Sequence, residues 1–230
     1  MCSRKICLRI VMSSKKNLLR IYRALDSYFG DLQWWPAEEP FEVIVGAILT
    51  QNTNWKNVER AIQNLKKEGC LVPKKLYRAR LGRIEAMIKP SGYYRVKARR
   101  LKKFLEFLFN EYGGQVESMF AEDWRKLRKK ILTVNGIGEE TADSILLYAG
   151  HKPAFVIDQY TRRIFTRHGL IEGKENYDEI QRLIMNHLPM DVPLYNQYHA
   201  LIVNTGKQFC KTDPLCMDCP LGRMMRKTVG

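Results

Sequence analysis

Three groups of residues have the types and spacing to do chemistry. Gly136-Ile137-Gly138 sets two glycines around one apolar residue. That pattern lets a backbone turn tightly between helices and leaves N–H groups free to face an anion such as a phosphate. It suits a clamp on a nucleic-acid backbone, and it is equally what any tight connection between helices requires. Asp158 ends the apolar run Ala154-Phe155-Val156-Ile157, a lone carboxylate delivered a fixed distance after the turn. It would sit near the sugar of whichever nucleotide the clamp grips, although an aspartate ahead of Tyr160-Thr161-Arg162 is also suited to capping a helix. Cys210, Cys216 and Cys219 form a Cys-x5-Cys-x2-Cys run followed by Pro220. Three close thiols at this spacing point to a metal site rather than to disulfides.

The elements that must position these groups are helical. Leu18, Leu19, Tyr22, Leu25 and Phe29 recur at helical spacing, as do Val58, Ile62 and Leu65, and then Leu101, Phe104, Leu105 and Leu108. Strand alternation is weak everywhere. Breaks at 30–40, 69–73, 89–92, 113–114, 150–153, 173 and 189–193 each join two candidate helices. The expected fold class is all-α, with short connections and no internal repeat. Around the glycine turn, Trp124 to Leu132 forms one helix with Trp124, Leu127 and Ile131 on its apolar side. Glu139 or Glu140 opens the next, which runs on through Ala142, Ile145 and Leu146. Arg125, Lys126, Arg128, Lys129 and Lys130 flank the pair on one side, and Arg162, Arg163 and Arg167 on the other, which turns the glycine pattern into a DNA signal.

The run Arg95, Lys97, Arg99, Arg100, Lys102 and Lys103, interleaved with Val96, Leu101 and Phe104, reads as an amphipathic helix with a charged outer face. His151, His168, His187 and His199 lie apart, without metal-ligand spacing, and are assigned no chemistry.

Composition sets the bounds. At 230 residues the chain can form one large domain or two small ones around a substantial core. Lysine and arginine outnumber acids 39 to 24, and a net charge of +15 suits either a solvated basic surface or a polyanionic partner. No apolar run reaches the roughly 18 residues needed to span a bilayer, so no membrane association is expected. The segment Cys2 to Met12 is too short and too charged for a secretory core, and the protein is expected to be intracellular, in cytoplasm or nucleoid.

Gly136-Ile137-Gly138 with Thr141-Ala142-Asp143 and Val156-Ile157-Asp158 resembles the helix-hairpin-helix, Gly/Pro-rich loop and aspartate of the endonuclease III superfamily of DNA glycosylases. The resemblance runs from about Trp34, through Leu49-Thr50-Gln51-Asn52-Thr53 and Pro90-Ser91-Gly92-Tyr93-Tyr94, to the cysteine tail. It implies two helical subdomains. One is a six-helix barrel near residues 33–152, containing the hairpin at about 124–150. The other is a discontinuous domain of 1–32 plus 153–230, with the cysteine loop at 210–225. It further implies that Asp158 lies at the mouth of a cleft, opposite the base pocket, and stabilises oxocarbenium-like charge at the anomeric carbon of a flipped nucleotide. Gly136, Ile137 and Gly138 then bind the DNA backbone, and Gln51 or Asn52 fills the gap left by the extruded base.

Two positions narrow the subfamily. Members that also cut the DNA backbone carry a lysine, able to form a Schiff base, where this chain has Glu140. The adenine-mismatch enzymes use an acid where this chain has Gly46. Trp34-Trp35-Pro36 and Gln51 to Trp55 resemble the pocket segments of endonuclease III-like 3-methyladenine glycosylases, in which aromatics matching Trp35 and Trp55 sandwich the base. Both tryptophans would otherwise be read as core. The expected activity is monofunctional removal of an alkylated purine from double-stranded DNA by a monomer, leaving an abasic site. The alternatives are a glycosylase with added lyase activity on other damaged bases, and a non-catalytic hairpin DNA-binding protein.

The cysteine run resembles the 4Fe–4S loop of endonuclease III, but Met225 stands where the fourth cysteine would fall. Cys2 or Cys7, a non-cysteine ligand, or loss of the cluster would each account for the gap. Zinc is the alternative metal, satisfied by three thiolates and one further ligand.

Overall fold

The computed structural model describes residues 4–32, 34 and 39–225, and the side chains of these apart from 4–14, 223 and 225. Among the described residues every regular element is helical, so the fold is all-α. In chain order the helices are α1 (Arg4–Phe29), α2 (Pro40–Leu49), α3 (Trp55–Lys67), α4 (Pro73–Arg78), α5 (Leu81–Ile88), α6 (Tyr94–Tyr112), α7 (Val116–Ala121), α8 (Trp124–Leu132), α9 (Glu139–Ser144), α10 (Gln159–Arg167), α11 (Tyr177–His187), α12 (Val192–Gln208) and α13 (Gly222–Met225). None of them is long and apolar enough to cross a membrane. The chain folds as two compact units, one of Trp35–Lys152 and one of Met1–Trp34 with Pro153–Gly230.

The first unit is built around α2. Phe41 and all residues from Val43 to Leu49 are buried, so this helix is apolar on every face and can only be a central one. α3 packs beside it on a narrower stripe of Val58, Ala61, Ile62 and Leu65. Its start is fixed by Asn54, whose side chain accepts from the Asn57 N–H, and Lys66 and Lys67 in its last turn suit the helix dipole. α8 begins as the sequence pattern predicts, at Trp124, because Asp123 caps it through the Lys126 N–H. Leu127 and Ile131 are its buried residues, while Trp124 is half-buried under Arg125. Beyond Ser144 the helix widens into a π-turn over Ile145–Ala149, all five residues of which are buried against α2.

The second unit sets α12 between α1 and α10. Leu18, Ile21 and Leu25 of α1 meet Tyr195, Tyr198, Leu201 and Ile202 in a core that also takes Phe155, Ile164 and Phe165. The Phe155 ring meets Tyr195 and Tyr198 edge-on, and the Tyr198 hydroxyl donates to the Leu18 carbonyl at 2.9 Å. The extended run Ala154–Ile157 is buried without a partner strand. Its backbone groups are met by side chains instead, with Gln181 donating to the Phe155 carbonyl and the Ile157 N–H donating to the Tyr177 hydroxyl.

Candidate active site

The hairpin consists of α8, the turn Thr133–Gly138 and α9. Gly136 has φ +88°, a conformation open to glycine, and a Cβ there would come within 2.5 Å of Arg100 Cγ. Gly138 caps α9 in an extended conformation with open space where a Cβ would go. No side chain caps the first turn of α9, and Ile137 between the glycines is buried as an anchor. The two helices are pinned by a bidentate pair, Arg128 Nε to Asp143 Oδ1 at 2.7 Å and Nη2 to Oδ2 at 3.0 Å, with Asp143 fully buried.

Gln51, in the loop between α2 and α3, is tied to this turn. Its side-chain amide donates to the Gly136 carbonyl at 3.2 Å and to the Thr141 hydroxyl at 2.9 Å, and its carbonyl accepts from Arg100 Nη1. Arg100 therefore touches both the glycine turn and the residue that braces it. Asn52 next door is exposed and left-handed, with φ +54°, at the tip of the loop. Trp55 opens α3 as a partly exposed ring rather than a core residue, its indole N–H donating to Glu59 at 2.8 Å. Trp35 lies outside the described residues. Glu140 is exposed in the first turn of α9.

In the other unit, Asp158 is buried at the N-terminus of α10 with its two oxygens in different situations. Oδ1 accepts from the Thr161 N–H at 2.7 Å and from the Thr161 hydroxyl at 2.9 Å. Oδ2 faces Nε2 of His199, on α12, at 3.7 Å. Burial holds the His199 imidazole below its usual pKa, against an opposing pull from Asp158 and with a further push from Lys207. The arrangement presents one carboxylate oxygen locked as a cap and the other beside a neutral imidazole.

The cysteine run lies in this second unit as well. Cys210, Cys216 and Cys219 line one small space beside the end of α10, with room for about one water. Burial and the two neighbouring thiols raise the Cys219 pKa, which places all three within electrostatic reach. Among the described residues, no three His, Cys, Asp or Glu side chains converge closely enough to hold a single ion. Cys2, Cys7 and the Met225 side chain lie outside the described residues.

Several basic residues read as a DNA-facing set are engaged elsewhere. Arg128 is taken by Asp143. Arg163 donates to the carbonyls of Cys210 and Gly206, and Arg167 to Cys210 Sγ and the carbonyls of Lys211 and Thr212, so both hold the cysteine loop. Arg162 donates to the Glu175 carbonyl. Lys97, read on a charged outer face, is 1 % exposed and donates to the Ser91 carbonyl at 2.7 Å. Its burial and the nearby Arg100 lower its pKa to about 8. Except for Lys97, whose acceptor lies six residues away, a partner distant in sequence captured the charge, which a helical-wheel reading cannot foresee. His199 was missed for the same reason: its only sequence signal is its place on the apolar side of α12, 41 residues after Asp158.

The family described as HhH-GPD superfamily base excision DNA repair protein matches residues 45–190. A Methanocaldococcus jannaschii protein provisionally named a DNA repair glycosylase is 47% identical over 205 residues, covering 89% of this chain and 93% of its own. Endonuclease III of Thermotoga maritima is 31% identical over 182 residues, covering 79% and 80%. The crystal structure of the H. pylori 3-methyladenine DNA glycosylase MagIII, bound to 1,N6-ethenoadenine, superposes with a TM-score of 0.73 at 29% identity, over 85% of this chain and 97% of that one.

Proposed function

The chain belongs to the HhH-GPD superfamily of base excision DNA repair proteins, and we propose that it is a monofunctional DNA glycosylase releasing alkylated purines from duplex DNA. The observation that carries the chemistry is the divided carboxylate of Asp158. With Oδ1 locked to Thr161, the side chain has one orientation, and its charge stays fixed beside a reacting sugar without reorganisation. As the C1′–N bond breaks, the base leaves with the bonding electrons and positive charge develops on the sugar, which the carboxylate stabilises. Water then bonds to C1′ and gives up a proton, for which Oδ2 is the acceptor. A purine alkylated on a ring nitrogen departs as a neutral base and needs no strong general acid.

Glu140 supports the absence of lyase chemistry, since a carboxylate cannot form the Schiff base that strand cleavage requires. The alkylpurine assignment is supported by likeness to MagIII and by the half-exposed Trp55, whose ring face suits an electron-poor or cationic base. Trp35 is assigned the other face of that stack. Asn52, exposed at its loop tip, is assigned the gap in the duplex, and Gln51 the support of the hairpin turn. Gly136, Ile137 and Gly138 are assigned the backbone grip. The protein is read as an intracellular monomer. Cys210, Cys216 and Cys219 are assigned a 4Fe–4S cluster in preference to zinc, and such a cluster, when bound, ties the loop together and takes no part in bond breaking.

The test is base release from methylated duplex DNA under single-turnover conditions, with strand breaks scored before and after hot alkali. Release of methylated purine with alkali-dependent breakage is expected. Breakage without alkali, with a borohydride-trapped adduct, would replace this reading by the lyase, and no release from any alkylated substrate would overturn the specificity.

A further inference from the structure

Arg100 stands where the glycine turn and the loop between α2 and α3 meet. Its stem packs on Gly136 so closely that a Cβ there would lie 2.5 Å from its Cγ and 2.9 Å from its Cδ. Its guanidinium Nη1 donates to the Gln51 side-chain carbonyl, while the Gln51 amide donates onward to the Gly136 carbonyl at 3.2 Å and the Thr141 hydroxyl at 2.9 Å. A primary amide has two N–H donors, and Gln51 uses both on the hairpin. The guanidinium decides which way that amide faces. Turned over, it would set its NH2 against a cation and its oxygen against the Gly136 carbonyl. The loop is fixed at its two ends as well, where the Thr50 hydroxyl donates to the Gly46 carbonyl at 2.7 Å and the Thr53 hydroxyl accepts from the Asn57 amide at 3.1 Å. Between those ends Asn52 is exposed at φ +54°, a conformation asparagine adopts more readily than most residues. Gln51 and Arg100 thus lock the loop that presents Asn52 to the turn that presents Gly138.

We propose that Arg100 is a positioning residue for gap filling in DNA. It touches no part of the nucleic acid. It holds Gln51, and through Gln51 it fixes the Asn52 tip relative to a phosphate gripped by the glycine turn. A hydrogen bond from a charged donor is stronger than a neutral one, and the planar guanidinium orients its acceptor where an ammonium, a point charge, does not. A duplex that lands on the turn therefore meets Asn52 at a set distance from its backbone. The ordering that gap filling requires is already made in the free protein and is not charged against binding. This assignment rests on the reading of Asn52 as the residue that enters the gap.

The experiment uses the full chain and fluorescence anisotropy with two duplexes, one undamaged and one carrying a tetrahydrofuran abasic analogue. The analogue presents a gap with no base to extrude and no glycosidic bond to cut, so neither the base pocket nor the chemistry enters the reading. The wild type should prefer the tetrahydrofuran duplex. Arg100→Lys should keep the affinity for undamaged duplex, while the preference falls roughly tenfold. Gln51→Met should lose the same preference, and the double variant should lose no more than either single one. Arg100→Met should bind with the wild-type salt dependence. Full preference in Arg100→Lys, or a double-variant loss equal to the product of the single losses, would overturn the proposal. So would a fall of about 0.9 in the salt slope of Arg100→Met, the mark of a lost phosphate contact. A wild type that binds both duplexes alike would overturn the gap-filling reading of Asn52 and this assignment with it, an outcome distinct from a preference that the variants retain.

Discussion

Nε2 of His199 lies 3.7 Å from Oδ2 of Asp158, the oxygen left over once Oδ1 has accepted two hydrogen bonds from Thr161. The cap and the candidate catalyst are therefore the same side chain, with the two tasks on different atoms. Asp158→Asn keeps a capping oxygen and removes the charge, so thermal stability should hold while the single-turnover rate falls roughly 10²–10³-fold. Asp158→Ala should lose the same activity and in addition about 1 kcal/mol of stability. An Asn variant that unfolds as readily as the Ala variant would show that the cap does not account for the difference.

His199 predicts a direction for stability against pH. Its folded-state pKa is lowered, so the unfolded chain binds the proton more readily. The stabilisation is present above the unfolded value of about 6.5 and is lost as pH falls below it. His168 is lowered by burial too and acts with the same sign. Denaturant midpoints measured between about pH 5 and 8 should decline on the acid side, and His199→Asn should flatten part of that decline. An unaltered slope in the variant would remove His199 as its source.

The two glycines of the hairpin should separate folding from binding. Gly136→Ala forces a side chain into φ +88° against Arg100, and should cost about 1–2 kcal/mol. Gly138→Ala meets open space in an ordinary backbone conformation, so stability should change by under about 1 kcal/mol. DNA affinity should nevertheless fall, because the added methyl stands where a phosphate must approach the turn. Fluorescence anisotropy with duplex DNA, beside thermal melts, distinguishes the two outcomes.

The Arg128–Asp143 pair joins α8 to α9 with Asp143 wholly buried. Removing either partner alone leaves a buried charge and should cost about 3–5 kcal/mol, while Arg128→Met combined with Asp143→Leu should cost markedly less. A loss in the double variant equal to the sum of the two single losses, measured by urea unfolding, would show that the pair is not coupled.

What was legible in the sequence was local. Helix boundaries such as Trp124–Leu132, the turn at Gly136, the start of α9 and the capping potential of Asp158 depend on residues within a turn of one another. Periodicity and cap chemistry report them directly. The helix break at Ala79-Arg80 was not foreseen, since it contains neither glycine nor proline.

The sequence by itself determined the helical class, the hairpin and its two glycines, the lone carboxylate after an apolar run, and a thiol-rich loop short of one cysteine. Only the tertiary structure decided which charges remain available. Arg128, Arg163 and Arg167 look alike on a helical wheel, yet each ends on a carbonyl, carboxylate or thiol brought from elsewhere in the chain. It also set His199 beside Asp158 and Gln51 beneath the glycine turn. The physical reason is range: backbone propensity acts over one or two helical turns, while the partner that satisfies a buried polar group is chosen by packing between helices far apart in sequence.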